Sequence, residues 1–259
     1  MSAGPAAGVR QFRRRIVAIA EARGVRGALE DDFHHFEAEL DHDGERVTAI
    51  RSASPRVPRT TCAEAQRPLQ GFIGLRLDAG QVPLDPRLQC THLFDLTRFM
   101  MAQALRGQRS NALHATREYA IAVPYPEAGR MHAEIRRDGE LVLAWDLVNG
   151  CVVSPGPFLG TDFSGKASYP KELDADALEA AKLLRRGVWL GRDRAAIAVV
   201  ISSGKFEARV EQRANTALRG ACYAHQPGTQ ERGTSNFSGN IRDFSDEPEA
   251  MLTALKQVL

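Results

Sequence analysis

The chain has 259 residues, 43% of them hydrophobic and 25% charged, so it can bury a full core as one large domain or two modest ones. Its formal net charge of +2 gives no reason to expect a nucleic-acid partner, and its apolar runs are too short to predict a membrane span. Four cysteines are too few for a secreted disulfide framework, and no apolar stretch follows the N-terminal arginines as in an export signal. We therefore expect a cytoplasmic protein.

The predicted elements fall into three segments. Residues 1–30 are expected to form an N-terminal helical segment, with an amphipathic helix over 9–23. Residues 31–110 are expected to form a core unit of a hairpin and two helices, and 111–259 a second α+β unit packed on the first. The last two segments could also form one continuous domain. Because helices and hairpins occur in blocks, the predicted fold class is α+β, with antiparallel hairpins packed against helices.

A β-hairpin is predicted at the start of the core unit. Residues 33–42 alternate between apolar and polar side chains, and Asp43-Gly44 is typical of a two-residue turn. With that turn, Leu40 would face Val47 across the hairpin. His34 would lie on the same side of its strand as Leu40, toward the core or a pocket.

Two cysteines lie where helices are expected to begin. Thr61 and Glu64 have the spacing of a capping box, which makes Cys62 the first helical residue. Cys90 directly precedes an apolar repeat that predicts a helix reaching about residue 106. The positive end of a helix dipole favours the thiolate, and therefore metal binding or nucleophilic chemistry. The alternative is that both cysteines are small buried apolar residues.

The second half of the chain predicts another hairpin followed by mixed elements. Asp138-Gly139 is typical of a turn that brings His132 opposite Trp145 and Arg137 opposite Glu140. The remaining expected elements are a helix over 174–186, strands over 195–201 and 206–210, a polar loop over 226–239, and a C-terminal helix that begins near Ser245.

Several strings of residues in the core unit point to a family. They are Asp31-Asp32-Phe33-His34-His35, the hairpin after it, Thr60-Thr61-Cys62, and Cys90-Thr91-His92-Leu93. Together they resemble an uncharacterised bacterial family, the domain of unknown function numbered 2889, in which a Cys-Thr-His-Leu signature recurs. The resemblance covers about residues 31–106. Its members occur in bacteria with broad aromatic and steroid catabolism, so the resemblance implies small-molecule chemistry.

The layout is also similar to that of the iron–sulfur scaffold proteins, with a hairpin followed by two cysteines at helix starts. Cys62 with Glu64 falls where those proteins have a ligand cysteine and a nearby aspartate, and Cys90 falls at their last cysteine. The chain lacks their middle ligand cysteine, and Gln89 stands where a histidine would precede the last one. This similarity implies one alternative function: a metal- or iron–sulfur-binding module without turnover that uses Cys62, Cys90 and His92.

The residues best suited to acid–base chemistry are histidines with carboxylates close by. A proton acceptor tuned near neutral pH is usually a histidine or a carboxylate held by a partner. His34 and His92 are the predicted base and acid, with Asp32 and Asp95 as the partners that orient them. Four residues are expected to bind substrate: Tyr223, His225, Phe237 and Arg242. The loop that carries Phe237 has few apolar anchors, so we expect a mobile rim that orders over the pocket.

No cofactor is expected, because the chain has neither a glycine-rich nucleotide motif nor a Gly-x-Ser-x-Gly elbow. The leading hypothesis is a cofactor-independent lyase or isomerase that acts by proton transfer on a small, apolar, aromatic molecule in bacterial catabolism. Besides the metal-binding module, a small-ligand-binding protein without catalysis remains open. A homodimer is the expected form of self-association, and neither a membrane nor a nucleic acid is an expected partner.

Overall fold

A computed structural model of the chain describes residues 9–79, 82–110, 113–163, 168–202, 216 and 218–253. Within these residues, eight strands form one antiparallel sheet in the order β4-β3-β2-β1-β5-β6-β7-β8. The strands are β1 (Gln11–Ala20), β2 (Gly24–Asp31), β3 (His35–His42), β4 (Val47–Arg56), β5 (Thr116–Pro124), β6 (Arg130–Arg137), β7 (Glu140–Val148) and β8 (Cys151–Val152).

Two long helices pack on this sheet. The helices are α1 (Gln66–Leu69), α2 (Thr91–Ser110), α3 (Ala175–Ser202) and α4 (Phe237–Asn240), and the 3-10 turns are Thr60–Ala65, Gln70–Phe72, Pro86–Leu88, Tyr223–His225, Gln230–Arg232 and Pro248–Ala250. Helix α2 packs on β1, β2 and β3, and α3 packs on β1, β5, β6 and β7. The predicted α+β class, with antiparallel hairpins packed against helices, is confirmed. In the described part of the chain, no helix combines the length and the apolar character needed to cross a membrane.

Strand β1 lies at the centre of the sheet and is buried on both faces. Phe12 and Ile16 belong to the main core under the two long helices, whereas Val17 and Ile19 pack with Leu252 on the opposite face. The prediction of a helix over 9–23 is wrong for this reason. A strand covered on both sides does not show the apolar–polar alternation that distinguishes a half-buried strand.

The same ambiguity affects the second half of the chain. Residues 195–201, predicted as a strand, lie in α3, because a short apolar run does not distinguish a buried strand from a buried helix. The predicted helix over 174–186 is the first part of α3. The predicted strand over 206–210 and the end of the predicted C-terminal helix lie outside the described residues.

Strands from all three predicted segments pair within one sheet. β1 of the first segment pairs with β2 on one side and with β5 of the third segment on the other. β2 in turn pairs with β3 of the core unit. The pairing favours the alternative of one continuous domain and rules out a helical segment over the described part of 1–30.

Both predicted hairpins exist, but their registers differ from the prediction. In the first, Leu40 faces Ile50 and His42 faces Val47, because the Asp43 carboxylate accepts the backbone N–H groups of Glu45 and Arg46 and lengthens the turn. The second hairpin pairs Arg137 with Glu140 as predicted. A bulge between Ile135 and Arg136 then brings Trp145 opposite Ala133 and His132 opposite Asp146.

Candidate functional site

The polar centre of the site lies where β2 ends. Asp31 is the last residue of β2, and its Oδ1 accepts the backbone N–H groups of Phe33 and His34, each at 2.9 Å. This Asx turn folds the chain back, so that His34 Nδ1 lies 3.1 Å from the same oxygen. The His34 side chain is only 10% exposed, which agrees with its predicted orientation toward the core or a pocket.

Two buried arginines fix the position of this turn. Arg14 on β1 donates to Asp31 Oδ2 at 3.2 Å, and both side chains are fully buried. Arg56 at the end of β4 donates to the backbone carbonyl of Asp32 at 3.0 Å and also to that of Asp31. Burial alone would raise the pKa of Asp31, but the charge of His34, its hydrogen bond, and the nearby His92 and Arg14 hold that pKa well below its usual range. Asp31 is therefore an anion.

His92 joins this centre from the first turn of α2. Its ring centroid lies 3.8 Å from that of His34, with 32° between the ring planes. His92 Nε2 is 3.6 Å from Asp31 Oδ2, and Nδ1 is 3.9 Å from the Cys90 Sγ. Burial lowers the pKa of His92 well below its usual value, and the positive charge of His34 and Arg14 lowers it further. His92 is therefore neutral at neutral pH.

The two histidines line a cavity of about 120 Å³, which we term the apolar cavity. Most of its other walls are apolar, and they include Phe33, Leu190, Ile197 and Phe237. The Phe33 and Phe237 rings meet edge to face, with their centroids 6.1 Å apart. A cavity of this size is close to that needed for one aromatic ring.

Asp32 and Asp95 do not contact the histidines that they were predicted to orient. Asp32 Oδ2 accepts from Arg194 Nε at 2.9 Å, on the other side of the turn from Asp31. Asp95 Oδ2 accepts from Arg186 Nε at 3.1 Å, because α3 supplies a cation beside that turn of α2. The partner of His34 is instead Asp31. The spacing from Asp31 to His34 is that of an Asx turn, but Asp32 has the same spacing to His35, so the sequence alone does not select Asp31.

Two of the four predicted substrate-binding residues line the apolar cavity. His225 and Phe237 are on its wall. Tyr223, the first residue of the 3-10 turn Tyr223–His225, instead donates to Glu64 at 3.4 Å. Arg242 is exposed and donates to the Gly239 carbonyl at 3.2 Å. The substrate role predicted for Tyr223 and Arg242 is not supported by these contacts.

The predicted mobile loop over 226–239 is anchored to the protein body. The buried Arg59 donates to the carbonyls of Gln230 and Gly233, at 3.0 and 2.8 Å. A Cβ atom on Gly233 would lie 2.5 Å from Thr61 Oγ1, so this glycine allows a close approach of the two segments. The prediction overlooked these polar anchors, because it counted only apolar side chains.

Cys62 and Cys90 are buried thiols near this site. Burial raises the pKa of Cys90 to about 12, and burial likewise raises the pKa of Cys62. Their burial fits the alternative in which both cysteines are small buried apolar residues. Cys62 is also the third residue of the 3-10 turn Thr60–Ala65, not the first residue of an α-helix, and Thr61 makes no capping hydrogen bond.

No model of a known protein family matches this chain. No curated protein matches it either. The resemblance to the bacterial family and the similarity in layout to iron–sulfur scaffolds therefore stay predictions.

Proposed function

We propose that this protein is a cytoplasmic enzyme, a lyase or isomerase, that moves a proton on a small, apolar, aromatic molecule in bacterial catabolism. One observation carries the proposal: His34 and His92 line an apolar cavity close to the size of one aromatic ring, and the buried Asp31 lies against both of them. Such a reaction needs a base, an acid and a pocket. The active form is proposed as a homodimer that needs no cofactor.

His34 is proposed as the base. Because Asp31 is an anion, it accepts a hydrogen bond and so requires the proton of His34 to be on Nδ1. The lone pair of Nε2 is then free to take a proton from the substrate. Asp31 also stabilises the imidazolium that forms, in the way that a carboxylate supports a catalytic histidine in acyl-transfer enzymes.

His92 is proposed as the acid. A neutral imidazole is a weak acid, and it donates a strong hydrogen bond to an oxygen that becomes negative during the reaction. The low pKa of His92 keeps it neutral, so it does not compete with His34 for a proton. Two adjacent histidines thus take different roles because only one of them is hydrogen-bonded to Asp31.

The proposal is tested by substituting two neighbouring carboxylates, Asp31 and Asp32, one at a time. A panel of small aromatic carbonyl compounds and aromatic hydroxy acids is incubated with the protein in D2O, and carbon-bound deuterium or product is measured by NMR. For a compound that the wild type converts, Asp31→Asn should lower kcat by about 100-fold or more, the usual contribution of a general base. Asp32→Asn is the matched control, since Asp32 contacts Arg194 and not His34.

Three results decide this test. An equal loss of rate in Asp31→Asn and Asp32→Asn would show that the carboxylates act through the fold and not on His34. A panel in which compounds bind and none exchanges would favour the non-catalytic ligand-binding protein. A rate lost only in Asp31→Asn, measured at a temperature at which both variants are fully folded, supports the proposed base.

A metal-binding function is the second candidate. Asp31, His34 and His92 each offer one ligand atom, all within 4.8 Å of one another, and two imidazoles with one carboxylate are a donor set for iron or zinc. The observation that favours it is the buried His92 Nε2, which has no hydrogen-bond partner among the described residues. This set replaces Cys62 and Cys90, whose raised pKa values oppose metal binding. Stoichiometric zinc or iron that is lost in Asp31→Asn would favour this candidate.

A further inference from the structure

A second pocket adjoins the apolar cavity. This basic pocket has a volume of about 280 Å³, and it shares four lining residues with the apolar cavity: Thr91, Arg186, Trp189 and Ala221. The two spaces therefore lie on either side of a common wall.

The lining of the basic pocket is strongly cationic. It contains Arg87, Lys182, Arg185 and Arg186, and none of the described residues that line it is acidic. Three of these cations come from α3 at positions 182, 185 and 186, and Trp189 follows, a spacing that places all four on one face of the helix. Continuing along α3, Leu190, Asp193 and Ile197 line the apolar cavity.

Two of the cations that line the basic pocket have carboxylate partners. Arg87 pairs with Asp85 at 2.8 Å, and Arg186 pairs with Asp95 at 3.1 Å. Lys182 is half-buried, and no carboxylate of the described residues lies within ion-pair distance of it. Burial lowers the pKa of Lys182 and the nearby Arg98 lowers it further, although Asp95 and Glu179 act in the opposite direction. A bound anion would relieve this unfavourable charge.

We propose that the molecule bound by this protein carries an anionic group, a carboxylate or a phosphate, that Lys182, Arg185 and Arg186 hold in the basic pocket while its apolar ring lies against His34 and His92. This inference rests on the proposed function for the role of the histidines. The anionic end fixes the orientation, and Trp189 lies between the charged and the apolar parts. Thr91, at the N-terminus of α2, adds a hydroxyl to the shared wall.

The test compares small ligands with and without an anionic group, and with and without an aromatic ring. Benzoate, phenyl phosphate, benzyl alcohol and inorganic phosphate are titrated while tryptophan fluorescence is followed. Trp189 is 39% exposed on the shared wall, whereas Trp145 is 1% exposed in the core, and Trp189→Phe confirms the origin of the signal. We expect benzoate or phenyl phosphate to bind at least about tenfold more tightly than benzyl alcohol, as for a charge-assisted contact.

Substitutions distinguish anion binding in the basic pocket from a general effect of the protein's positive charge. Lys182→Gln with Arg185→Gln should remove the preference for the anion and leave benzyl alcohol binding unchanged. Lys182→Arg should keep the preference. Lys171→Gln is the control for the loss of a positive charge, because Lys171 is exposed and lines neither pocket.

The ligands also distinguish the source of the anion. Tighter binding of benzoate than of phenyl phosphate indicates a carboxylate on the substrate itself. Binding of inorganic phosphate that competes with phenyl phosphate indicates a phosphate group. Equal affinities for benzyl alcohol and both anions, no binding of any ligand, or a preference that survives in Lys182→Gln with Arg185→Gln would overturn the inference.

Different results would contradict the anion-binding inference and the proposed catalytic function. His34→Gln should lose proton exchange while keeping the preference for an anion. If no compound exchanges but the anion preference holds and depends on Lys182, the basic pocket stands and the catalytic role of His34 does not.

Discussion

At the scale of single residues, folding makes the protonation of His92 unfavourable. In the unfolded chain its pKa is about 6.5, and in the folded protein burial lowers that pKa well below this value. Below about pH 6.5, the unfolded state therefore binds a proton that the folded state does not. The free energy of unfolding should fall as the pH falls, by about 1.4 kcal/mol per pH unit from this residue.

This prediction is checked by urea denaturation of the wild type and His92→Asn between about pH 7 and 5. The wild type should lose stability more steeply on acidification than the variant, because the variant has no proton to exclude. Parallel pH profiles for the two proteins would show that His92 is protonated in the folded state, and the role of a neutral donor would then be wrong.

The residue scale also shows what the sequence could not predict. His34 and His92 could be selected from their residue type and position alone, and the structure brings their rings together. Which of Asp31 and Asp32 contacts His34 depends on the residue at which β2 ends and the turn begins. Two adjacent aspartates do not reveal that residue. Burial raises the pKa of the Cys90 thiol. The sequence could not predict this, because burial depends on the whole fold.

At the scale of secondary structure elements, α3 is held close to the sheet by two glycines. A Cβ atom on Gly191 would lie 2.8 Å from Val123 Cγ1, and one on Gly187 would lie 2.6 Å from Ile121 Cγ2. Gly191→Ala should therefore destabilise the protein by about 1–3 kcal/mol through overpacking. This cost exceeds the gain of about 1 kcal/mol in helix propensity.

The neighbouring substitution Arg192→Ala is the control for helix propensity, because Arg192 is exposed on α3. It should leave the melting temperature nearly unchanged. Gly191→Ala should also weaken ligand binding, since Leu190 and Ile197 of α3 line the apolar cavity. An unchanged or higher melting temperature for Gly191→Ala would mean that α3 can move away from β5 at little cost.

At this scale the sequence predicted elements well where one face is exposed. Strands β3, β6 and β7 and the start of α3 follow alternation, turn residues or charge patterns at the surface. Elements buried on both sides, such as β1, or within an apolar run, such as residues 195–201, were misassigned, because the apolar residues carry no period that distinguishes strand from helix. The predicted registers of the two hairpins were wrong for a different reason. The Asp43 carboxylate shifts the strand pairing in the first hairpin, and the bulge after Ile135 shifts it in the second.

At the scale of the whole molecule, the C-terminal segment (residues 218–253) connects distant parts of the fold. Arg59 anchors this segment through the carbonyls of Gln230 and Gly233. Arg59→Met should leave these carbonyls without their donor, at a cost of about 1–3 kcal/mol for each buried group. We expect a lower free energy of unfolding and faster proteolysis within 226–239.

Arg232→Met is the matched control for this prediction. Arg232 pairs with Glu64 at 3.0 Å, but it is 55% exposed, and exposed ion pairs contribute about 0–1 kcal/mol. It should therefore change neither stability nor proteolysis by much. If Arg59→Met behaves like Arg232→Met, the segment is held by contacts other than Arg59, and the predicted mobile rim becomes the better description.

The central position of β1 has a consequence for how the chain folds during synthesis. β1 pairs with β2 as a local hairpin as soon as both leave the ribosome, and β3 and β4 can follow in order. Its other neighbour, β5, begins only at Thr116, and Leu252 covers its second face later still. The nascent chain therefore exposes an unpaired edge at β1 until about half of the chain has been made, and the face that Leu252 covers stays open almost to the end, so β1 is where a chaperone that binds apolar strands would act.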